Sequence, residues 1–181
     1  MSLYTKYGDQ GFTFTKVSVK TPKNHALVNF LGNVDELNCF LGLLHNELEK
    51  NQRIEQSVTI VAIMNILFEI GAFMGYGSAL NFEKLKQWIS NLEALIDEQE
   101  NANPPLKNFI LPTGNIDGCM SHMCRAIARR VERSIYELEI FAECEMVIRF
   151  LNRLSDYLFS LARTVNRLGG KEEIIWRAEG K

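Results

Sequence analysis

Between residues 26 and 168 the apolar side chains return again and again at three- and four-residue steps, a spacing that builds helices and cannot line one face of a strand. Val34, Leu37, Leu41 and Leu44 mark a first helix over about 26–48. A second covers about 56–74 and is stopped by the glycines at 75 and 77. Phe82, Leu85, Trp88, Ile89 and Leu92 mark a third over 81–98. Turn signals follow, with Asn-Pro-Pro and Pro-Thr-Gly between residues 101 and 114. Met120, Met123, Ile127, Val131, Ile135 and Leu138 stripe a fourth helix over 117–138. Val147, Phe150, Leu151, Leu154, Leu158 and Leu161 stripe a fifth over 143–168, which Gly169 and Gly170 end.

Long helices joined by mostly short loops predict an all-α fold, a five-helix antiparallel bundle. Its 181 residues suit a single domain with one core. We divide it into an N-terminal segment (1–24), the bundle (25–170) and a tail (171–181) that docks through Trp176. The first segment, rich in glycine and threonine, reads as a flexible loop with room for a brief strand. Residues 58–80 are apolar enough to raise the question of a membrane span. Asn65 and Glu69 interrupt them, so the expectation is the most buried helix of the bundle.

A formal net charge of −2 argues against a general nucleic-acid binder, so any basic site must be local. Four cysteines without a C-x-x-C pair read as reduced thiols, and the first ten residues lack a signal-peptide apolar run; both point to the cytoplasm. No histidine follows a glutamate at the spacing a di-iron bundle needs. No G-x-S-x-G or H-E-x-x-H motif occurs either.

The local basic site is on the fourth helix. Arg125, Arg129 and Arg133 stand four residues apart along one face, flanked by Arg130 and Glu132. Guanidinium forks in a row suit the oxygens of a polyphosphate, although a solvated charged face would show the same spacing. Asp35 and Glu36 on the first helix can pair with such arginines. On the fifth, Asn152 offers an amide beside Ser155 and Asp156. Residues 4–13 have the glycines to wrap an anion with backbone N–H groups but are no Walker motif. Phe109 is a loop aromatic, and His122 reads as structural.

These pieces stand in one order: YTKYGDQGFT (4–13), GNVDELN (32–38), FILPTG (109–114) with RAIARRVER (125–133), and LNRLSDYLF (151–159) running into SLARTVN (160–166). In that order they resemble the PduO-type ATP:cob(I)alamin adenosyltransferases, over nearly the whole chain. The resemblance implies transfer of the 5′-deoxyadenosyl group of ATP to reduced cobalt, with Mg²⁺ as cofactor and ATP and cob(I)alamin as substrates. It implies a homotrimer with active sites between subunits. It also points to a reductase and an adenosylcobalamin-dependent enzyme as partners, and to neither nucleic acid nor membrane. By resemblance Thr5, Lys6, Tyr7, Gly8, Thr13 and Phe14 form the nucleotide loop, and Lys23 binds phosphate. Arg129, Arg130, Glu132 and Arg133, with Asn152, form the triphosphate site, Glu132 being the magnesium candidate. Asp35 and Arg125 form a salt bridge near the corrinoid, and Phe109 displaces the lower axial ligand of cobalt. The chain departs from the family at Tyr7, Gln10, Phe14 and Leu31-Gly32-Asn33. Those departures keep open a non-catalytic sensor or cofactor chaperone on the same fold.

Overall fold

The computed structural model describes residue 4 and residues 6–16, 19–140 and 144–177. Five helices carry the fold: α1 (Ala26–Lys50), α2 (Ile54–Tyr76), α3 (Phe82–Ala102), α4 (Ile116–Ile135) and α5 (Glu145–Leu168). Local chemistry sets their ends. His25 caps α1, its Nδ1 accepting from Leu27 N at 3.1 Å. Asn81 caps α3, its Oδ1 accepting from Lys84 N at 3.0 Å. Gly77 ends α2 in the left-handed region at φ 71°. The expected first residues of α5 begin at 143, which lies outside the described residues.

Consecutive helices alternate in direction. Arg130 pairs with Glu36, and Arg53 and Asn51 both reach Asp117, so α1 and α4 are antiparallel neighbours. Glu132 with Asn152, and Asn115 with Asn166, set α4 against α5 in the same way. Arg153 with Glu93, and Ser160 with Glu100, instead align α3 parallel to α5. The closely packed pairs run α2–α1–α4–α5–α3, and α3–α5 is the parallel one among them. The core runs through Phe30, Leu37, Leu41, Ile63, Ile70, Leu92, Val131, Phe150, Leu154 and Leu158, all under 5% exposed.

The apolar stretch 58–80 is not the most buried helix. That place belongs to α5, which buries fourteen residues against eight on α2. Val58, Phe68 and Tyr76 stay more than half exposed, because α2 packs chiefly on α1 and its other apolar side has no cover within one chain. The high mean hydropathy of α2 therefore records two apolar faces, only one of which is buried.

The N-terminal segment is also more ordered than expected. A short 3₁₀ turn (Tyr7–Gln10) leads into an antiparallel hairpin, β1 (Phe12–Thr15) and β2 (Val19–Pro22). The hydroxyls of Thr15 and Thr21 meet at 2.6 Å inside it, and Lys16 N donates to Gly75 O at 2.6 Å. The hairpin is thus tied to the C-terminal end of α2. The tail docks as expected, at the opposite end of the bundle. Ile175 bridges Ile110, Leu111 N donates to Ile174 O, and Trp176 N donates to Phe109 O, both at 2.8 Å.

Candidate active site

The arginine row of α4 does not serve one cleft. Each four-residue step on a helix drifts by about 40°, so Arg133 is turned about 80° from Arg125, and Arg130 further still. Arg130 and Arg133 open into a cleft of about 510 Å³ between α1 and α4, with Asn29, Gly32, Asn33 and Ser134 on its walls. Arg125 and Arg129 face a second cleft of about 220 Å³, walled by α3 and α5 through Ile96, Glu100, Ser155, Asp156 and Phe159.

Charge in the first cleft is partly set by Glu36. Its carboxylate accepts from Arg130, and that bond holds it below the usual carboxylate range. Arg130 is raised in return. The Arg130 Nε nonetheless has no partner, and neither does the buried Nε of Arg125. Burial first, and then the neighbouring Arg129, push the Arg125 guanidinium down from its ordinary value. Among the described residues no carboxylate lies within ion-pair distance of Arg125, Arg129 or Arg133. Buried cationic donors left without partners suit an anionic ligand.

Glu132 lies on the α5 side of α4 and accepts from Asn152 Nδ2 at 3.1 Å, so the structure brings this expected pair together. Among the described residues no cluster of three or more His, Cys, Asp or Glu could hold a metal alone. A single carboxylate fits Mg²⁺, which is usually held by one or two carboxylates plus substrate phosphates.

Asp35 and Arg125 do not pair within the chain. The antiparallel register that sets Glu36 opposite Arg130 puts Arg125 level with Leu41, roughly 9 Å along the axis from Asp35. Asp35 is exposed on α1, and the acid that meets α4 is its neighbour Glu36.

In the N-terminal segment, Lys6 opens the 3₁₀ turn with a left-handed φ of 63°. Tyr7 and Phe14 meet edge to face at 5.7 Å, so two of the family departures form one contact. With Lys6, Gln10, Phe12 and Lys20 they line a hollow of about 410 Å³. A methyl group at Gly8 would stand 2.9 Å from Lys23 Nζ, so glycine lets that ammonium settle on the turn. Thr13 is half-buried on β1. Thr5 lies outside the described residues.

Phe109 is 81% exposed, yet its backbone is fixed by the tail and its ring meets Trp176 edge to face at 6.4 Å. Its loop joins α3 to α4 at one end of the bundle, while the hairpin is tied to the other. The length of α2, roughly 30 Å, separates those ends. One chain therefore does not bring Phe109 and its nucleotide loop together. Sequence reasoning also missed Asn29 and Asn33. Their signal was present, since Asn29, Asn33 and Glu36 share one face at four- and three-residue steps.

The chain matches known proteins over nearly its whole length. The cobalamin adenosyltransferase family profile matches residues 3–165. The chain is 39% identical over 173 residues to the corrinoid adenosyltransferase of Bacillus subtilis, covering 94% of this chain and 89% of that protein. It is 35% identical to the cobalamin adenosyltransferase of Cupriavidus metallidurans, covering 97% and 94%. A variant of the PduO-type ATP:corrinoid adenosyltransferase from Lactobacillus reuteri, solved with cobalamin and ATP, superposes with a TM-score of 0.89 at 32% identity, covering 97% of both chains. With the family profile spanning nearly its whole length and the arginine helix, Phe109 loop and N-terminal turn in the family's order, this chain belongs to the cobalamin adenosyltransferases.

Proposed function

We propose that the protein transfers the 5′-deoxyadenosyl group of ATP to the cobalt of cob(I)alamin and releases triphosphate. The observation that carries the assignment of roles is the α4 arginine row, with cationic nitrogens buried and unpartnered on both sides of one helix. The Co(I) of the substrate is itself the nucleophile. It attacks the ribose 5′ carbon, and the C–O bond to the triphosphate breaks with its electron pair leaving on oxygen. The protein therefore has to position the two substrates and stabilise the charge that grows on the leaving group. Arg129, Arg130, Arg133 and Lys23 supply that charge. Glu132, oriented by Asn152, is the residue that would hold Mg²⁺, which when bound neutralises phosphate oxygens. Lys6, Tyr7, Gly8, Thr13 and Phe14, with Thr5, form the nucleotide loop. Phe109 keeps water and the lower ligand off cobalt, and Asp35 and Arg125 border the corrinoid.

The active unit is a homotrimer with sites between subunits. Two features support it. The hairpin and the Phe109 loop are anchored at opposite ends of one chain, so a second chain has to bring one to the other. Leu43, Val58, Val61 and Phe68 also leave an apolar stripe on α1 and α2 between 39% and 65% exposed. The Asp35–Arg125 pair, out of reach within a chain, then forms across the interface. The absence of a C-x-x-C pair among the four cysteines fits a cytoplasmic protein, served by a reductase and supplying an adenosylcobalamin-dependent enzyme.

The test is anaerobic turnover of reduced cobalamin with Mg-ATP. Arg129→Ala should lower kcat by about a hundredfold or more, the size expected when a preorganised charge-stabilising donor is lost. Wild-type turnover in that variant would refute the leaving-group role. ATP binding by the wild-type protein without adenosylcobalamin formation would instead favour the sensor reading that Tyr7, Gln10 and Phe14 keep open.

A further inference from the structure

Among the described residues Arg163 is the largest fully buried side chain, 1% exposed near the C-terminal end of α5. A buried guanidinium is costly unless its donors are met, and here three segments meet them. Nε donates to Glu173 Oε1 at 2.6 Å, Nη1 to Glu100 Oε2 at 2.8 Å, and Nη2 to Pro104 O at 2.6 Å. Glu100 ends α3 and walls the Arg125–Arg129 cleft. Pro104 begins the Phe109 loop, and Glu173 begins the tail segment that bridges to it. Burial opposes the Arg163 charge, but the hydrogen bonds and charges of Glu173 and Glu100 outweigh it and hold the guanidinium above its ordinary value.

The loop is pinned at three places. Its start is held by Arg163 and by Asn103, which donates to Thr164 Oγ1 at 3.0 Å. Its end is held by Asn166, which donates to Thr113 O and accepts from Asn115 N, both at 2.9 Å. Its middle is held by the tail, through the two backbone bonds at Leu111 and Phe109. The Phe109 ring itself is exposed and touches Trp176 edge to face, on a backbone held by these bonds. We infer that Arg163, through Glu173, is a positioning residue for Phe109: it clamps the tail against the 109–111 segment and so sets the aromatic ring that the corrinoid meets. This rests on the reading of Phe109 given above.

Glu173→Ala is the variant of choice, because Glu100 still compensates Arg163 and the core keeps its charge balance. The chain has two tryptophans, so a Trp88→Phe background makes Trp176 the sole reporter of the tail. In the full-length protein without ligands, Glu173→Ala should lower the Trp176 fluorescence anisotropy. It should also speed amide exchange at Leu111 and Trp176 by roughly tenfold, as expected when one charge-assisted bond holding a local unit is lost. With Co(II) cobalamin and Mg-ATP, it should reduce the four-coordinate cobalt signature towards that of Phe109→Ala while leaving KM for ATP within twofold. Glu173→Gln, which keeps an acceptor, should fall between the two. Unchanged anisotropy and exchange would overturn the clamp. A freed tail with a full cobalt signature, where Phe109→Ala loses it, would overturn the positioning role. If Phe109→Ala itself keeps the signature, the Phe109 reading fails, and the clamp then stands or falls on the ligand-free measurements.

Discussion

Lowering the pH from 7 to 4.5 should weaken this protein in a way that one imidazole largely accounts for. His122 is 5% exposed on α4, and its Nδ1 has no partner. Burial, and then the positive field of Arg125, push its pKa from 6.5 down to about 4 against the opposing pull of Glu173. The folded protein therefore holds the imidazole neutral where the unfolded chain is already protonated. Its contribution is fully present above pH 6.5 and is lost as pH falls towards 4, since the unfolded state binds the extra proton over that window. A fall of about two and a half units is worth about 3 kcal/mol, of which about 2 kcal/mol has gone by pH 5. The assay is urea denaturation at pH 7, 6, 5 and 4.5 for the wild type and for His122→Phe, which keeps an aromatic against Phe159, 5.8 Å away. Carboxylates common to both proteins cancel in the difference. The wild type should lose about 2 kcal/mol more than the variant between pH 7 and pH 5. Parallel curves would refute the reasoning and place the acid sensitivity elsewhere.

The remaining predictions concern the frame around the site. Asp117 is fully buried and accepts from Arg53, Asn51 and Gly118 N, so Asp117→Ala strands a nearly buried arginine. It should cost about 3–5 kcal/mol by equilibrium unfolding, against about half that for Asp117→Asn, which keeps an acceptor in place. Phe68→Glu places a charge on the uncovered stripe of α2. Sedimentation should show the homotrimer proposed above dissociating into single chains that keep the wild-type helical circular dichroism, and turnover should fall with it.

Much of the fold was legible because a helix core has a short period. Leu37, Leu41, Val131 and Leu154 announce their helices by spacing alone, and helix ends shifted by at most four residues. What spacing could not reveal was which apolar face finds cover in the same chain, and so α2 was read as buried. The hairpin was hidden for another reason: it is held by the Thr15–Thr21 hydroxyl contact and by a bond to Gly75 some sixty residues away, neither of which leaves a local pattern. Of the site, the arginines, Glu132 and Asn152 were legible as residues, but their division between two clefts was not, because a four-residue step only approximates one turn. Arg163 was the least visible. Arginine is a surface residue by habit, and only the packing of α3, the loop and the tail around it shows that its charge is interior.

The same division makes α4 a ruler. Arg125 and Arg133 lie eight residues apart, about 12 Å along a rigid axis, with about 80° of rotation between them. On the roles proposed above, a ligand pair that engages both must match that offset, and the distance from the corrinoid end to the triphosphate end is written in helical rise rather than in any loop. Inserting one alanine between Arg129 and Arg130 would preserve every functional side chain. It would still turn one cleft by about 100° relative to the other and slide it by about 1.5 Å. No local rearrangement of arginine rotamers can undo such a rotation, and the two halves of the reaction would then be addressed by faces that no longer meet.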